Sequence, residues 1–333
     1  MKYYLAPLHG ITNLDYRRLF DKYFLGIDKY FIPFLNPSSK GITPKEEKEI
    51  DPSSNQLSKI VVPQIISKNI DDTIWLINHL KNLGYKEINL NFGCPSPTVT
   101  SKGKGCGMLK DLSHLENYLD EVFKIKDIRI SIKLRLGLKD ENEFENIIKI
   151  LNKYDILELI IHPRTKEDKY IGPIHFNYFK KIKNMTSFDI IYNGEIKNKE
   201  DLLYVQNNFP FIKGIMLGRG IIAYPTILEN IDEKNQINKI KNFYDELSKD
   251  NIEKYGWNNS KFYHKEIWAC LINFFEVPIN LKKKLFKAEK ENEFKKYVDE
   301  IFSSCNINKN IESTIFNESK NNYYWSKSSR VGK

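Results

Sequence analysis

Eight short β-rich runs, each followed by a stretch with helical spacing, constrain the fold of this chain more than any other feature. They predict strands over Tyr3–Ala6, Tyr30–Leu35, Ile60–Ile66, Glu87–Phe92, Ile128–Leu134, Leu157–His162, Asp189–Tyr192 and Gly214–Leu217. Strand and helix alternating in this way is the pattern of βα units, and eight in succession predict an α/β fold, a closed (β/α)8 TIM barrel. Intervening helices are expected over Asn13–Tyr23, Asp71–Leu83, Leu112–Lys126, Glu141–Lys153 and Lys199–Asn207. Asp71 reads as a cap ahead of Ile74, Trp75, Ile77 and Leu80, because its side-chain oxygen can accept from free first-turn amides.

A chain of 333 residues exceeds a barrel of roughly 250, and past Tyr224-Pro225 the pattern changes. No strand signal interrupts the helical spacing from Ile237 to Ile301, where Trp257, Phe262, Trp268, Leu271, Phe274 and Phe275 offer apolar anchors for a small helical bundle. The expected organisation is a barrel over 1–232, a helical domain over 233–303 and a loosely held basic tail over 304–333. The tail's apolar anchor is Tyr323-Tyr324-Trp325.

Net charge narrows the partners. Residues 235–333 carry 18 Lys and Arg against 13 Asp and Glu, +5 of the chain's +9. Lys282-Lys283-Lys284 with Lys287 is the densest basic cluster, and it reads either as a phosphate contact or as a solvated helix face. Cys94, Cys106, Cys270 and Cys305 form no CxxC pair and no zinc-ligand spacing, so no metal is expected and a reducing cytoplasm is the natural setting. The first residues run directly into a strand rather than a signal peptide, and no run of roughly 18 apolar residues suggests a membrane span.

Chemistry concentrates after the fourth strand. The alternating Ile88-Asn89-Leu90-Asn91-Phe92 ends at Gly93, which puts Cys94 on the loop past a strand's C-terminal end, the active-site face of such a barrel. Pro95 and Pro97 stiffen the exit, and Gly103, Gly105 and Gly107 permit close backbone approach. Taken alone, Cys94 is equally well a buried structural thiol. Lys133, set among Ile130, Ile132 and Leu134, is hard to explain as core, since a buried unpaired ammonium is costly. Gln64, in Val62-Pro63-Gln64-Ile65, is a buried amide that needs partners. Asn193-Gly194-Glu195 and Gly218-Arg219-Gly220 follow the seventh and eighth strands, the recurrent phosphate site of this fold, although Gly-Arg-Gly is also a plain tight turn.

These blocks resemble the tRNA-dihydrouridine synthases, flavoenzymes that reduce uridines in tRNA. The resemblance rests on Asn91-Phe92-Gly93-Cys94-Pro95 and on five further blocks in family order: Ala6–Asn13, Ser131–Gly137, Ile161–Thr165, Tyr192–Ile196 and Met216–Gly220. It implies FMN held by Pro7, Leu8, His9, Gln64, Lys133, His162, Asn193, Gly194, Glu195, Gly218 and Arg219. Lys133 would face the flavin's pyrimidine edge, where negative charge collects on reduction. NADPH or NADH is the implied reductant, tRNA the partner gripped by the helical domain, and a monomer the expected state. Cys94 is the implied proton donor to uracil C5, with Asn91 and Arg135 holding the uracil edge. A thiol suits that role because its ordinary pKa near 8.5 keeps it protonated but labile at neutral pH. Leu8 and His9 replace residues more often small or Met in the family, and Cys106 adds a second thiol close in sequence to Cys94. Two rivals stay open at this level: another FMN barrel oxidoreductase, which would not need the basic helical domain, and a tRNA-binding protein without catalysis, which would not be yellow.

Overall fold

A computed structural model describes residues 1–311. Eight parallel strands close into a barrel in chain order: β1 (Lys2–Leu5), β2 (Lys29–Leu35), β3 (Ile60–Ile65), β4 (Glu87–Phe92), β5 (Arg129–Arg135), β6 (Glu158–His162), β7 (Asp189–Asn193) and β8 (Gly214–Leu217). All eight expected strands are present, with ends moved by no more than a residue. The segment Tyr323-Tyr324-Trp325 lies outside the described residues.

The chain divides into two compact units. The first comprises Met1–Pro7, Asp28–Gly194 and Gln206–Leu217, and contains the whole barrel. Because side chains alternate along a strand, every second residue points into the barrel. Tyr4, Ala6, Phe31, Val62, Ile160, Ile191 and Met216 fill the interior as one apolar cluster. Each such large side chain contributes about 1.5–3 kcal/mol by leaving water. Below them, Lys29 bonds Glu87 at 2.8 Å and Glu158 at 3.0 Å, all three buried, and the Tyr4 hydroxyl donates to Glu158 at 2.8 Å. Removing one member of such a buried cluster costs about 3–5 kcal/mol, because it strands the others.

The second unit comprises Leu8–Ile27, Glu195–Val205 and Gly218 onward. The helix Glu233–Tyr255 starts at Asp232, whose side chain accepts from the Asn235 amide. Its Phe243 meets Tyr16 edge-on at 5.3 Å on the helix Leu14–Tyr23, and Arg18–Asp250, Lys22–Glu246 and Lys254–Asp15 ion pairs flank the contact. Trp268, on the helix Trp257–Leu271, is fully buried edge-on to Tyr244 at 5.4 Å and Phe302 at 5.6 Å. After the helices Ile279–Lys287 and Glu291–Ser304 the chain pairs Ile307 with Phe275 in an isolated antiparallel bridge.

Three expectations are corrected. Asn69, not Asp71, caps the helix Ile70–Asn82: its oxygen accepts from the Asp72 amide at 2.8 Å, which leaves Asp71 in the first turn, where its charge suits the helix dipole. The helix expected over 141–153 is a 3-10 turn, Glu141–Glu143, followed by Phe144–Leu151, because Asp140 and Glu143 close a capping box around the turn. Phe262 is not a core anchor. It is 62% exposed, since the buried stripe of its helix runs through His264, Ile267, Trp268 and Leu271. Among the described residues, no helix is long and apolar enough to cross a membrane.

Candidate active site

Gln64, Asn91, Lys133, Arg135, His162 and Asn193 all lie within three residues of the C-terminal ends of their strands, so parallel pairing gathers them at one mouth of the barrel. The register sets Asn91 opposite Lys133 and Arg135 opposite His162.

Cys94 is partly exposed at the start of the loop after β4. Asn91 Oδ1 accepts from the Gly93 amide at 3.0 Å and from the Cys94 amide at 2.9 Å, which folds the loop back on the strand it leaves. The Cys106 amide closes the far side by donating to the Cys94 carbonyl at 3.0 Å. That approach requires glycine at 105, where φ is +56° and a Cβ would sit 2.8 Å from the Cys94 carbonyl oxygen. Cys94 and Cys106 are both free thiols, and burial pushes Cys106 up to about 12, which keeps it protonated and unreactive.

The surroundings are electropositive. Lys133 keeps some accessible surface, yet desolvation, then the Arg135 charge, lowers its pKa to about 8. Its ammonium has no hydrogen-bond or ion-pair partner among the described residues. Arg135 is 1% exposed and bridges two loops, donating from Nε to the Gly93 carbonyl at 3.2 Å and from Nη1 to the carbonyls of Thr165 at 2.8 Å and Lys169 at 2.6 Å. Its Nη2 hydrogens have no partner among the described residues.

Gln64 is engaged at both ends, donating to Asn89 at 2.7 Å and accepting from Asn91 at 2.8 Å, with one Nε2 hydrogen left for a ligand. Nε2 of His162 lies 3.5 Å from Arg164 Nη1. Asn193 donates to the Met216 carbonyl at 2.9 Å, tying β7 to β8, and a side chain at Gly194 would run into the Tyr192 hydroxyl. In the second unit, Leu8 opens a turn closed by Thr12 and His9 is exposed. Arg219 opens the helix Arg219–Ala223 and pairs with Glu195 at 3.0 Å.

Sequence reasoning reached Thr165 and missed the rest of the loop after β6. Asp168 accepts from the Thr165 amide and hydroxyl and from His175 Nε2 at 3.0 Å, and Arg164 donates to the Gly172 carbonyl at 2.8 Å. Burial opposes ionisation of Asp168, but the His175 and Thr165 hydrogen bonds prevail and hold it below the usual carboxylate range. The loop presents Tyr170, 48% exposed, with the Arg135 guanidinium 5.3 Å from its ring centre. The Thr165-x-x-Asp168 spacing was the available signal.

The family model described as "Dihydrouridine synthase (Dus)" matches residues 4–320. The "tRNA-dihydrouridine synthase B" of Pasteurella multocida is 28% identical over 238 residues, covering 70% of this chain and 70% of that protein. The "Probable tRNA-dihydrouridine synthase" of Helicobacter pylori is 30% identical over 234 residues, covering 68% of this chain and 69% of its own. Among solved structures, an old yellow enzyme homologue from Zymomonas mobilis aligns at a TM-score of 0.48 and 11% identity, over 67% of this chain and 86% of that one.

Proposed function

The chain belongs to the dihydrouridine synthase family, and on that premise we propose that it reduces the C5–C6 double bond of uridines in tRNA, using FMN and NADPH or NADH, with Cys94 as the proton donor. The observation that carries this reading is the placement of a partly exposed thiol, held by Asn91, at a barrel mouth where Lys133 and Arg135 offer unengaged donors.

These donors fit FMN. Its pyrimidine edge is rich in acceptors, and a desolvated ammonium lacking a partner among the described residues is matched by such an edge. When bound and reduced by the nicotinamide nucleotide, FMN would supply a hydride for uracil C6. Lys133, Gln64 and His162 would hold the ring, and the family resemblance adds Pro7, Leu8 and His9 to the flavin contacts. The phosphate assignment rests on sequence order, Asn193-Gly194-Glu195 following β7 and Gly218-Arg219 following β8, with Glu195 orienting the Arg219 guanidinium.

Cys94 gives its Sγ proton to C5 as the new C5–H bond forms, and the thiolate left behind is stabilised by the surrounding Lys133 and Arg135 charges until solvent returns a proton. Asn91 and Arg135, through hydrogens their loop contacts leave unengaged, meet the uracil edge. The target base must leave its stack to enter. Lys282, Lys283, Lys284 and Lys287 are exposed and form no ion pair among the described residues, unlike Lys241, Lys261, Lys265 and Lys295, which leaves their charges open to tRNA phosphates. The proposed setting is the cytoplasm, with a single chain as the working unit.

The test separates two half-reactions. Cys94→Ala should bind tRNA and let NADPH bleach its flavin normally, yet form dihydrouridine about 10²–10⁴-fold more slowly, as expected for a lost general acid. Cys106→Ala should leave both rates unchanged. Dihydrouridine formed at the unsubstituted rate by Cys94→Ala would overturn the assignment.

A further inference from the structure

The interior faces of β4 and β5 carry polar groups at alternate positions: Glu87, Asn89 and Asn91 on one strand, Ser131, Lys133 and Arg135 on the other. Asn89 and Ser131 have no role in the chemistry above, and both are fully buried. Their hydrogen bonds join the loop contacts of Asn91 into one continuous chain. The Ser131 hydroxyl lies 3.2 Å from both the Ile88 carbonyl and a Glu87 carboxylate oxygen. Asn89 Nδ2 donates to Ser131 Oγ at 2.9 Å, Gln64 Nε2 to Asn89 Oδ1 at 2.7 Å, and Asn91 Nδ2 to Gln64 Oε1 at 2.8 Å. The chain ends where Asn91 Oδ1 accepts from the Gly93 and Cys94 amides.

Both termini of this chain are backbone groups of fixed polarity. A carbonyl can only accept, so Ser131 donates downward and its lone pairs face Asn89. That turns the Asn89 oxygen toward Gln64, and the Gln64 oxygen toward Asn91. Amide N–H groups can only donate, so at the upper end Asn91 must present oxygen. Reversing Gln64 or Asn91 sets donor against donor and acceptor against acceptor at its neighbours, and reversing Asn89 sets donor against donor at Gln64 and draws the Ser131 proton away from the Ile88 carbonyl, in a buried site where each unmade bond costs about 1–3 kcal/mol. The direction does not depend on Glu87, which burial pushes above the usual carboxylate range against the pull of Lys29. The Ile88 carbonyl fixes it in either protonation state.

We propose that Ser131 and Asn89 are positioning residues for the Cys94 loop, acting through the directed hydrogen-bond chain Ile88–Ser131–Asn89–Gln64–Asn91. They touch neither substrate nor cofactor. They determine which atom of Asn91 meets the Gly93 and Cys94 amides, and so where the thiol stands. The consequence for turnover rests on the reading of Cys94 as proton donor, but the structural consequence does not.

Amide hydrogen exchange separates the two. In Ser131→Ala and Asn89→Leu, which remove links while nearly preserving volume, the Gly93 and Cys94 amides should exchange roughly five- to tenfold faster, as expected for loss of one hydrogen bond. The β7 amides should keep their rates. Ile191→Val trims the same interior outside the chain, and should leave Gly93 and Cys94 as protected as before. At saturating tRNA, Ser131→Ala should lower kcat with KM unchanged. Equal protection of Gly93 and Cys94 in all three variants and the parent would overturn the proposal, as would faster exchange spread evenly over every strand. Faster exchange confined to the two loop amides with kcat unaltered would support the positioning chain and overturn Cys94 as the proton donor instead. Should Asn89→Leu fail to fold, Ser131→Ala, which deletes one oxygen, carries the test alone.

Discussion

The mouth of the barrel and the core around Trp268 hold their buried polar groups differently. In the barrel, the amides of Gln64, Asn89 and Asn91 are aligned in one direction by bonded neighbours. In the helical unit, His264 Nε2 and Asn251 Oδ1 are buried with no hydrogen-bond partner among the described residues, in a core otherwise packed from Trp268, Phe243, Tyr244 and Phe302. Apolar packing is nondirectional and tolerates an isolated unsatisfied atom at a cost in stability. A thiol that must meet one carbon of a base has no such latitude, since small misplacements in a reacting geometry cost about 10²-fold. Directed bonding is found where orientation matters, and bulk packing where a surface only has to be held up.

The largest expected effect tests that division directly. Trp268→Ala should destabilise the helical unit by about 3–5 kcal/mol, seen as a lower denaturant midpoint. At 25 °C in the absence of denaturant, NADPH should still bleach the flavin at the parent rate. A barrel half-reaction that fell with the helical core would break the comparison.

Next comes the pH response of His264, whose pKa burial lowers to about 4. The folded unit holds this ring neutral, while the unfolded chain protonates it near 6.5. Its contribution is therefore complete above pH 6.5 and is lost as pH falls to about 4, roughly 3 kcal/mol in all. His264→Gln should remove that part of the slope of unfolding free energy between pH 6.5 and 4. Identical slopes in parent and variant would show that the ring is not held neutral.

The smallest effect concerns the surface. Reversing Lys282, Lys283 and Lys284 to Glu should reduce the slope of log Kd for tRNA against log salt by about 2–3, while leaving flavin reduction by NADPH unaltered. An unchanged slope would return those lysines to a solvated helix face and sharpen the contrast, leaving the helical unit without an identified contact to substrate.

Much of the barrel was legible because strand and helix differ in period. The run Glu87–Phe92 alternates cleanly and coincides with β4, and Lys133 stood out because an unpaired ammonium among apolar residues is costly unless a ligand meets it. Helix starts were less legible. Asn69 and Asp71 are both competent caps, and only the backbone conformation at Asn69 decides between them. Phe262 misled because hydrophobicity alone does not say which face of a helix is covered.

By itself the sequence determined the eight βα units, the position of Cys94 just beyond β4 and the family of the chain, since periodicity and short motifs are local and survive without a third dimension. Only the tertiary structure decided how the polar groups are shared. Gln64, Asn91 and Arg135 read as ligands in waiting, and the fold shows each already committed in part, Gln64 to Asn89 and Asn91 on β4, Asn91 and Arg135 to the loops around Cys94. Ser131 and Asn89 gave no signal as a pair, being 42 residues apart. Their meeting depends on the register between β4 and β5, and the direction of the bonds they begin depends on a carbonyl at one end and two amides at the other. A hydrogen bond has a direction only once both partners are in place, so no reading of either residue alone could have supplied it.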